Sequence, residues 1–422
     1  MYQEKPYSVV PLLARALERI RSTTPRIIAS PATQPRRAAV AIVIRVVPSP
    51  DAPLPEISQS PSTLSEFFNL DWVKDPKAQP QILFLHRENN TNTGDGSFNP
   101  DHVGGRKESH VAYPGGRMEP DDEGGEYTAM RQTWEEIGID LAEKDYICIG
   151  QLDDREITTS LGKRLLMILS PYIFLQVTPY AAPPDPIPTT HIHWTPLSSL
   201  VSPYSKPKWS TVTVDAASRL TPKHSAFLRI VVRVLIGSMQ FPAILLEPSR
   251  PSPADPPTEK ATNGTRRTRP QQLKLWGLSL GMTLDLMSYM ILPDAEARAR
   301  TSASASSSPL SEVMQLPWQE STVQDFNLEY AAPSLASVFP RFSYPDVNFW
   351  IWVFGKRYRE VIRGWESSVR VGGTNDRRLN WSGTALNTFY AAIRKALIVV
   401  IVARALGILL GLGFASWWIF GW

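Results

Sequence analysis

The stretch PGGRMEPDDEGGEYTAMRQTWEEIGID, Pro114 to Asp140, decides how this chain is read. It opens on a Gly-Gly turn, runs through a set of acids, and ends in EYTAMRQTWEEIG, whose pattern predicts a helix stopped by Gly138. On such a helix Gln132, Glu135 and Glu136 fall at i, i+3 and i+4 and share a face. Ala129, Met130, Thr133, Trp134 and Ile137 make a second stripe suited to a core. Carboxylates gathered on a rigid helix suit the hard, oxygen-preferring Mg²⁺ or Mn²⁺, ions that bind jointly with substrate phosphates. The glycines ahead of the helix let backbone groups approach an ion or a phosphate. At position 132, however, glutamine offers an oxygen donor without charge and cannot take up a proton.

Strand-like runs flank this segment. RRAAVAIVIRVV (Arg36 to Val47) predicts the first strand and QILFLHR (Gln81 to Arg87) a second. SHVAYPGG reads as a short strand entering the glycine turn, and DYICIGQLDD as another strand. LLMILSPYIFLQV (Leu165 to Val177) is almost unbroken in apolar residues, which predicts a central strand. HWTPLSSLV and SAFLRIVVRVLIGSMQFPAILL follow, and LKLWGLSLGMTLDLMSYMIL (Leu273 to Leu292) has helical apolar spacing. Pro-, Ser- and Gly-rich stretches at about 48–62, 88–105 and 248–272 read as insertions in one domain spanning 36–292, with an N-terminal arm over 1–35. A linker at 293–312 and an extension over 313–395 follow, mostly helical in character.

The chain has 422 residues, 43% of them hydrophobic, enough for a large core. A net charge of +4 lacks the clustered basic stripe of a nucleic-acid binder. Cys148 is the sole cysteine, so neither an intramolecular disulfide nor a cysteine metal site can form, and a reducing compartment fits best. The first fifty residues hold eight Lys or Arg against Glu4 and Glu18, a mitochondrial-type bias. Those arginines run straight into the first predicted strand, which makes mitochondrial targeting the lesser reading.

From Ala396 to Trp422 the chain reads ALIVVIVARALGILLGLGFASWWIFGW, with Arg404 its one charge. The uncharged part, Ala405 to Trp422, would span roughly 27 Å as a helix, close to a hydrocarbon core. Trp417, Trp418 and Trp422 would mark one interface, and Arg394, Lys395 and Arg404 the other. This predicts a tail anchor over 396–422 with the preceding chain on the cytosolic face; the alternative is a buried core helix or hairpin. PDVNFWIWVFGKRYREVIRGW (Pro345 to Trp365) reads equally as an interfacial amphipathic helix or as core packing.

The run from Gly116 through Arg131, Glu135, Glu136, Gly138 and Ile139 resembles the Nudix box. Arg117 to Met130 is one residue longer than the usual spacing, and with PGGR, Pro120 and Asp122 this is similar to the coenzyme A pyrophosphatase branch. Arg106 with SHVAYPGG, and LWGLSLGMTLDLM (Leu275 to Met287), resemble further elements of that branch. The resemblance implies an α/β (α+β) fold, an αβα sandwich with a mixed sheet. It also implies a metal-dependent hydrolase that uses Mg²⁺ or Mn²⁺ to cleave the diphosphate of coenzyme A or its derivatives into 3′,5′-ADP and 4′-phosphopantetheine. By position it makes Arg131, Glu135 and Glu136 catalytic and assigns metal to Glu135, Glu136, Gln132 and the Gly116 carbonyl. Arg106, Arg117 and Gly115 would bind substrate.

Two departures stand out. Gln132 replaces a glutamate of the box, and PPDPIPTTHIHW carries only Asp185, with His191 and His193, where a further glutamate is common. Glu123 or Glu126 from the helix start, or Asp153 or Asp154 from behind, would be substitutes. Two other functions therefore stay open: a membrane-attached Nudix domain of weak or no activity that binds a nucleotide or protein, or a diphosphatase for another nucleoside diphosphate derivative.

Overall fold

The structure is a computed structural model that describes residues 8–30, 36–53, 61–88, 109–158, 165–201, 208–215, 226–247, 273–290, 337, 339–361, 363 and 384–420. In chain order the elements are α1 (Val10–Ser22), β1 (Arg37–Val47), α2 (Leu64–Asn69), α3 (Asp71–Lys74), β2 (Gln79–Arg87), β3 (Ser109–Ala112), β4 (Gly115–Arg117) and α4 (Gly125–Ile137). Then come β5 (Tyr146–Gln151), β6 (Arg155–Thr158), β7 (Leu165–Gln176), β8 (Thr190–Pro196), α5 (Ser198–Val201), β9 (Lys208–Asp215), α6 (Ala226–Ile236) and β10 (Ser238–Leu246). The last are β11 (Leu273–Trp276), α7 (Gly277–Met290), β12 (Arg341–Phe342), α8 (Pro345–Phe354) and α9 (Thr384–Phe420).

The strands form one mixed sheet whose backbone order is β12-β10-β11-β3-β2-β1-β7-β5, with β4 on β1, β6 on β7, β8 on β2 and β9 on β10. β1 lies at its centre, parallel to β7 and antiparallel to β2 and β4. Strand alternation explains why helices cover both faces. Ala39, Ala41 and Val43 of β1, with Leu83 and Leu85 of β2 and Phe174 of β7, point to the face covered by α4. Ile42, Ile44 and Val46, with Ile82, Phe84, Ile173 and Leu175, point to the opposite face under α1, α2, α3 and α7. The result is three layers, helix on sheet on helix, as the sequence predicts at the level of a mixed α+β fold.

Two expectations need correction, and a third element finds its place. The segment assigned to an N-terminal arm contains α1, which buries Leu12, Leu13, Ala16, Leu17 and Ile20 in the main core. Arg15 and Arg19 of this helix are themselves half-buried, and Arg19 donates to the Tyr289 carbonyl of α7 at 3.0 Å. The run from Leu273 is not one helix. Gly277, with φ of 62°, breaks it into β11 and α7, a conformation that glycine adopts without a Cβ clash. The C-terminal extension is built onto the sheet. Phe339, Phe342, Val347, Tyr358, Phe389, Ile393, Leu397 and Val400 share a core with Ile236 and Met239 of α6 and β10.

α9 runs unbroken for 37 residues and starts well before the predicted anchor. Its first half packs into the extension, and Ala396, Leu397 and Val400, which the sequence placed in the anchor, are buried there. From Val402 onward most of its side chains are exposed. Among the described residues this is the one helix long and apolar enough to cross a membrane, with a mean hydropathy of 2.5 over its best window. Trp422, the predicted insertions at 88–105 and 248–272, and the linker at 293–312 lie outside the described residues, apart from Glu88.

Candidate functional site

α4 is fixed by its ends and its underside. Gly138 closes it in the left-handed region, φ 67°, and its N–H bonds to the Trp134 carbonyl at 2.9 Å. Ala129, Thr133 and Ile137, one turn apart, form the buried line against β1, β2 and β7. Trp134 sits about 100° round the helix from Thr133 and is 58% exposed, so it does not join the core stripe assigned to it from spacing. The face carrying Gln132, Glu135 and Glu136 turns away from that core, as predicted.

Arg131 organises the loop ahead of the helix. Its Nε and Nη2 each lie 2.8 Å from the two oxygens of Asp122, a bidentate ion pair. Nη1 donates to Glu135 at 2.9 Å and to Glu119 at 3.3 Å, while Nη2 also reaches the Arg117 carbonyl at 3.3 Å. Asp122 accepts further bonds from the Glu119 N–H and the Thr128 hydroxyl, both at 2.9 Å. Arg131 beside it holds its carboxyl far below the usual carboxylate range. Arg131 thus orients one glutamate, Glu135, and pins the loop.

Glu136 points elsewhere. Arg87, the last residue of β2, grips it in a second bidentate pair, with Nη2 2.7 Å from Oε2 and Nε bonded to Oε1. Thr190 of β8 adds a hydroxyl at 3.4 Å, and Arg87 also reaches the Tyr113 carbonyl. Gln132 gives its amide N–H to Glu135 Oε2 at 3.0 Å and turns its oxygen toward Gly116. A Cβ on Gly116 would stand 2.6 Å from Gln132 Cδ, so that flexible side chain would have to move aside for it. Gly115 is held more tightly, with φ of 148° and a Cβ position only 2.6 Å from the Val40 Cα. Arg117 is exposed, and Arg106 lies outside the described residues.

These donors are chemically of the kind Mg²⁺ or Mn²⁺ takes, but they do not converge. Glu135 is bound by Arg131 and Gln132, Glu136 by Arg87, and the amide brings no charge. Among the described residues no three His, Cys, Asp or Glu side chains gather as a metal site. The arrangement as it stands therefore does not fit a preformed divalent centre.

The substitutes named from sequence serve other ends. Asp154 accepts from the Ile28 N–H, Arg37, Ser170 and Gln151, and Asp153 from the Arg26 N–H, so both acids tie the N-terminal segment to the sheet. Glu126 faces Cys148, and burial, with that carboxylate beside it, pushes the thiol up to about 12. Asp185 backs the end of α4, its N–H on the Ile137 carbonyl at 2.8 Å. His193 meets the Glu247 carbonyl at 3.0 Å, and burial lowers its pKa. His191 stacks on His86 with ring centres 5.9 Å apart and lies 3.3 Å from Glu88. Sequence reasoning missed Arg87 and Thr190; the one available signal was that Arg87 ends an alternating strand.

No family model matches the chain. An uncharacterized protein of Schizosaccharomyces pombe is 28% identical over 253 residues, which cover 59% of this chain and 67% of that protein. That relative brings no activity with it.

Proposed function

We propose that this chain is a membrane-held Nudix-type domain of the coenzyme A pyrophosphatase branch that binds a diphosphate-bearing nucleotide, coenzyme A or a derivative, with weak or no hydrolysis. The observation that carries this reading is Gln132. It stands where the box has an acid, its amide N–H is given to Glu135, and its oxygen lies beside Gly116. The Gly-Gly turn and the Arg131–Asp122 brace that would border a bound diphosphate are present, while the charge needed to hold ions is reduced. The apolar outer half of α9 supplies attachment, with the folded part on the cytosolic face.

A second reading, an active Mg²⁺- or Mn²⁺-dependent diphosphatase, is favoured by Glu135 and Glu136, two carboxylates on the face of α4 turned away from the core. One experiment separates the two. The full chain in lipid nanodiscs is titrated with coenzyme A and other nucleoside diphosphate derivatives, and release of 3′,5′-ADP is followed with Mn²⁺ or Mg²⁺. Binding without turnover in the native chain, with turnover gained by Gln132→Glu, supports the first reading. Native turnover that Glu136→Gln removes establishes the second. Failure of every such ligand to bind sinks both.

A further inference from the structure

α8 breaks the usual rule for a surface helix. One face, with Val347, Trp350 and Ile351, packs into the extension core, yet the outer face carries Phe349, Trp352 and Val353, the first of them 56% exposed. A helix apolar all round belongs in a core or in lipid. α6 repeats the pattern, with Ile230 and Val234 exposed one turn apart. Both helices meet α9 at one residue. Arg404 pairs with both oxygens of Asp346, at 2.8 and 2.6 Å, and covers the Tyr344 ring at 4.4 Å. It also bonds the Leu235 carbonyl at the end of α6, and Tyr344 in turn bonds the Val234 carbonyl at 3.2 Å.

The levels along α9 follow from two contacts. Asp346 stands beside Arg404, and Tyr358 packs against Phe389 with ring centres 5.0 Å apart, so α8 and the turn after it run antiparallel to α9. Phe349 and Trp352 thus lie level with the turns just before Arg404, where Ile398 and Val402 are also exposed. Further from Arg404, at the level of Lys356 and Arg357, come Arg394 and Lys395 of α9. Residues 356–363 hold Lys356, Arg357, Arg359 and Arg363 against Glu360. Arg394 is about 15 Å along the helix from Arg404, which is deep enough to separate a basic ring from an apolar band. Arg359 sits 4.9 Å over the Trp352 ring, at the seam between them.

We propose that this end of the folded domain is itself a lipid-binding surface, in which Ile230, Val234, Phe349, Trp352 and Val353 enter the headgroup–acyl boundary of an anionic bilayer around the emerging α9. This rests on α9 being a membrane span. The exposed apolar surface is continuous with the outer half of α9, which commits the occupant to lipid. The basic ring lies where anionic headgroups would be. The Asp346–Arg404 pair lets an arginine enter the boundary as part of a neutral unit, avoiding the cost of burying it alone. From Val402 to Ile419 the mostly exposed run is about 26 Å long, close to a hydrocarbon core. The domain is thereby held flush with the membrane, with its tilt fixed by two helices besides the anchor.

The test uses the full chain with Cys148→Ala and single cysteines at Ile230, Phe349, Leu409 or Tyr180, each carrying an environment-sensitive fluorophore. The protein is reconstituted in phosphatidylcholine–phosphatidylserine vesicles with or without spin-labelled quencher lipids. Labels at Ile230 and Phe349 should shift to the blue and lose fluorescence to an extent comparable with Leu409, while Tyr180 does not change. D346N should reduce quenching at Phe349, and D346N with R404Q should restore it. Quenching at Leu409 without quenching at Ile230 and Phe349 overturns the proposal and leaves the anchor reading standing. Absence of quenching at Leu409 overturns both. Labels shielded without lipid quenching, together with crosslinking between chains, assign the surface to a second copy and overturn the proposal.

Discussion

Arg131 closes on Asp122 through two bonds of 2.8 Å, one to each carboxylate oxygen, with the Asp122 side chain 2% exposed and the Arg131 side chain 16% exposed. This pair joins the loop to the helix, so it sets the shape of whatever the loop holds. Removing one partner of such a pair strands the other. Asp122→Ala should cost about 3 kcal/mol of stability, measured by urea unfolding in detergent micelles. A loss below about 0.5 kcal/mol, the range of ordinary surface changes, would show that Glu119 and Glu135 take over the arginine.

The same pair predicts a pH dependence with a definite sign. Asp122 ionises in the folded chain at lower pH than in the unfolded one. Its contribution is therefore complete above the unfolded value of about 3.9 and is lost as pH falls below that toward the folded pKa. Native and Asp122→Asn chains compared by thermal melts should differ by a constant amount from neutral pH down to about 4.5 and converge below about 3.5. A difference that shrinks instead between pH 6 and 8 would assign the effect to another group.

Two adjacent glycines should respond differently to the same substitution. A Cβ on Gly115 would strike the β1 backbone at Val40, which cannot give way without moving the central strand, and its φ of 148° is strained for any other residue. A Cβ on Gly116 would meet the flexible end of Gln132. Gly115→Ala should thus lose about 2 kcal/mol or more, whereas Gly116→Ala loses under about 1 kcal/mol and mainly displaces Gln132. Equal losses at the two positions would contradict the distinction, and unfolding midpoints of both variants decide it.

The elements visible in the sequence were those whose signal is local. β1, β2 and β7 announce themselves by apolar runs, and α4 by its Gly138 stop and two opposed stripes. The face shared by Gln132, Glu135 and Glu136 followed from helix geometry alone. What could not be read was which distant side chain would answer each of them. Arg87 is 49 residues from Glu136 in sequence and reaches it only because β2 ends beside the last turn of α4. Trp134 was misassigned because a stripe five residues wide covers more of the helix than the sheet does. α1 was misassigned because the partners of its apolar face, on α7 and the sheet, are distant in sequence. Arg404 was expected at a membrane interface; in the fold it stands where the buried part of α9 gives way to the exposed part, and its partner Asp346 was invisible without the fold.

Asp154 illustrates how a site candidate becomes a structural one. Its side chain is fully buried and answers Arg37, the Ile28 N–H, Ser170 and Gln151 together. Asp154→Ala should cost about 3 kcal/mol or more and release residues 24–30 from the sheet. Limited proteolysis would then cut near Arg26 faster than in the native chain. An unaltered cleavage pattern would mean that α1 alone keeps this segment in place.

The Arg87–Glu136 pair makes a prediction about ions. An ion ligated by Glu136 must first displace the guanidinium, and Arg87, with 41% of its side chain exposed, makes a pair of modest strength. Arg87→Gln should therefore leave stability within about 1 kcal/mol of native and tighten Mn²⁺ binding by about fivefold, the equivalent of that same energy. Gln132→Glu should tighten it further by adding a carboxylate on the same face. Combining the two substitutions should exceed either alone, because one removes a competitor and the other adds a ligand. Paramagnetic titration of Mn²⁺ reads these affinities directly. If Arg87→Gln binds Mn²⁺ no better than the native chain while Gln132→Glu does, the missing charge at position 132, and not the arginine, governs ion binding at this face.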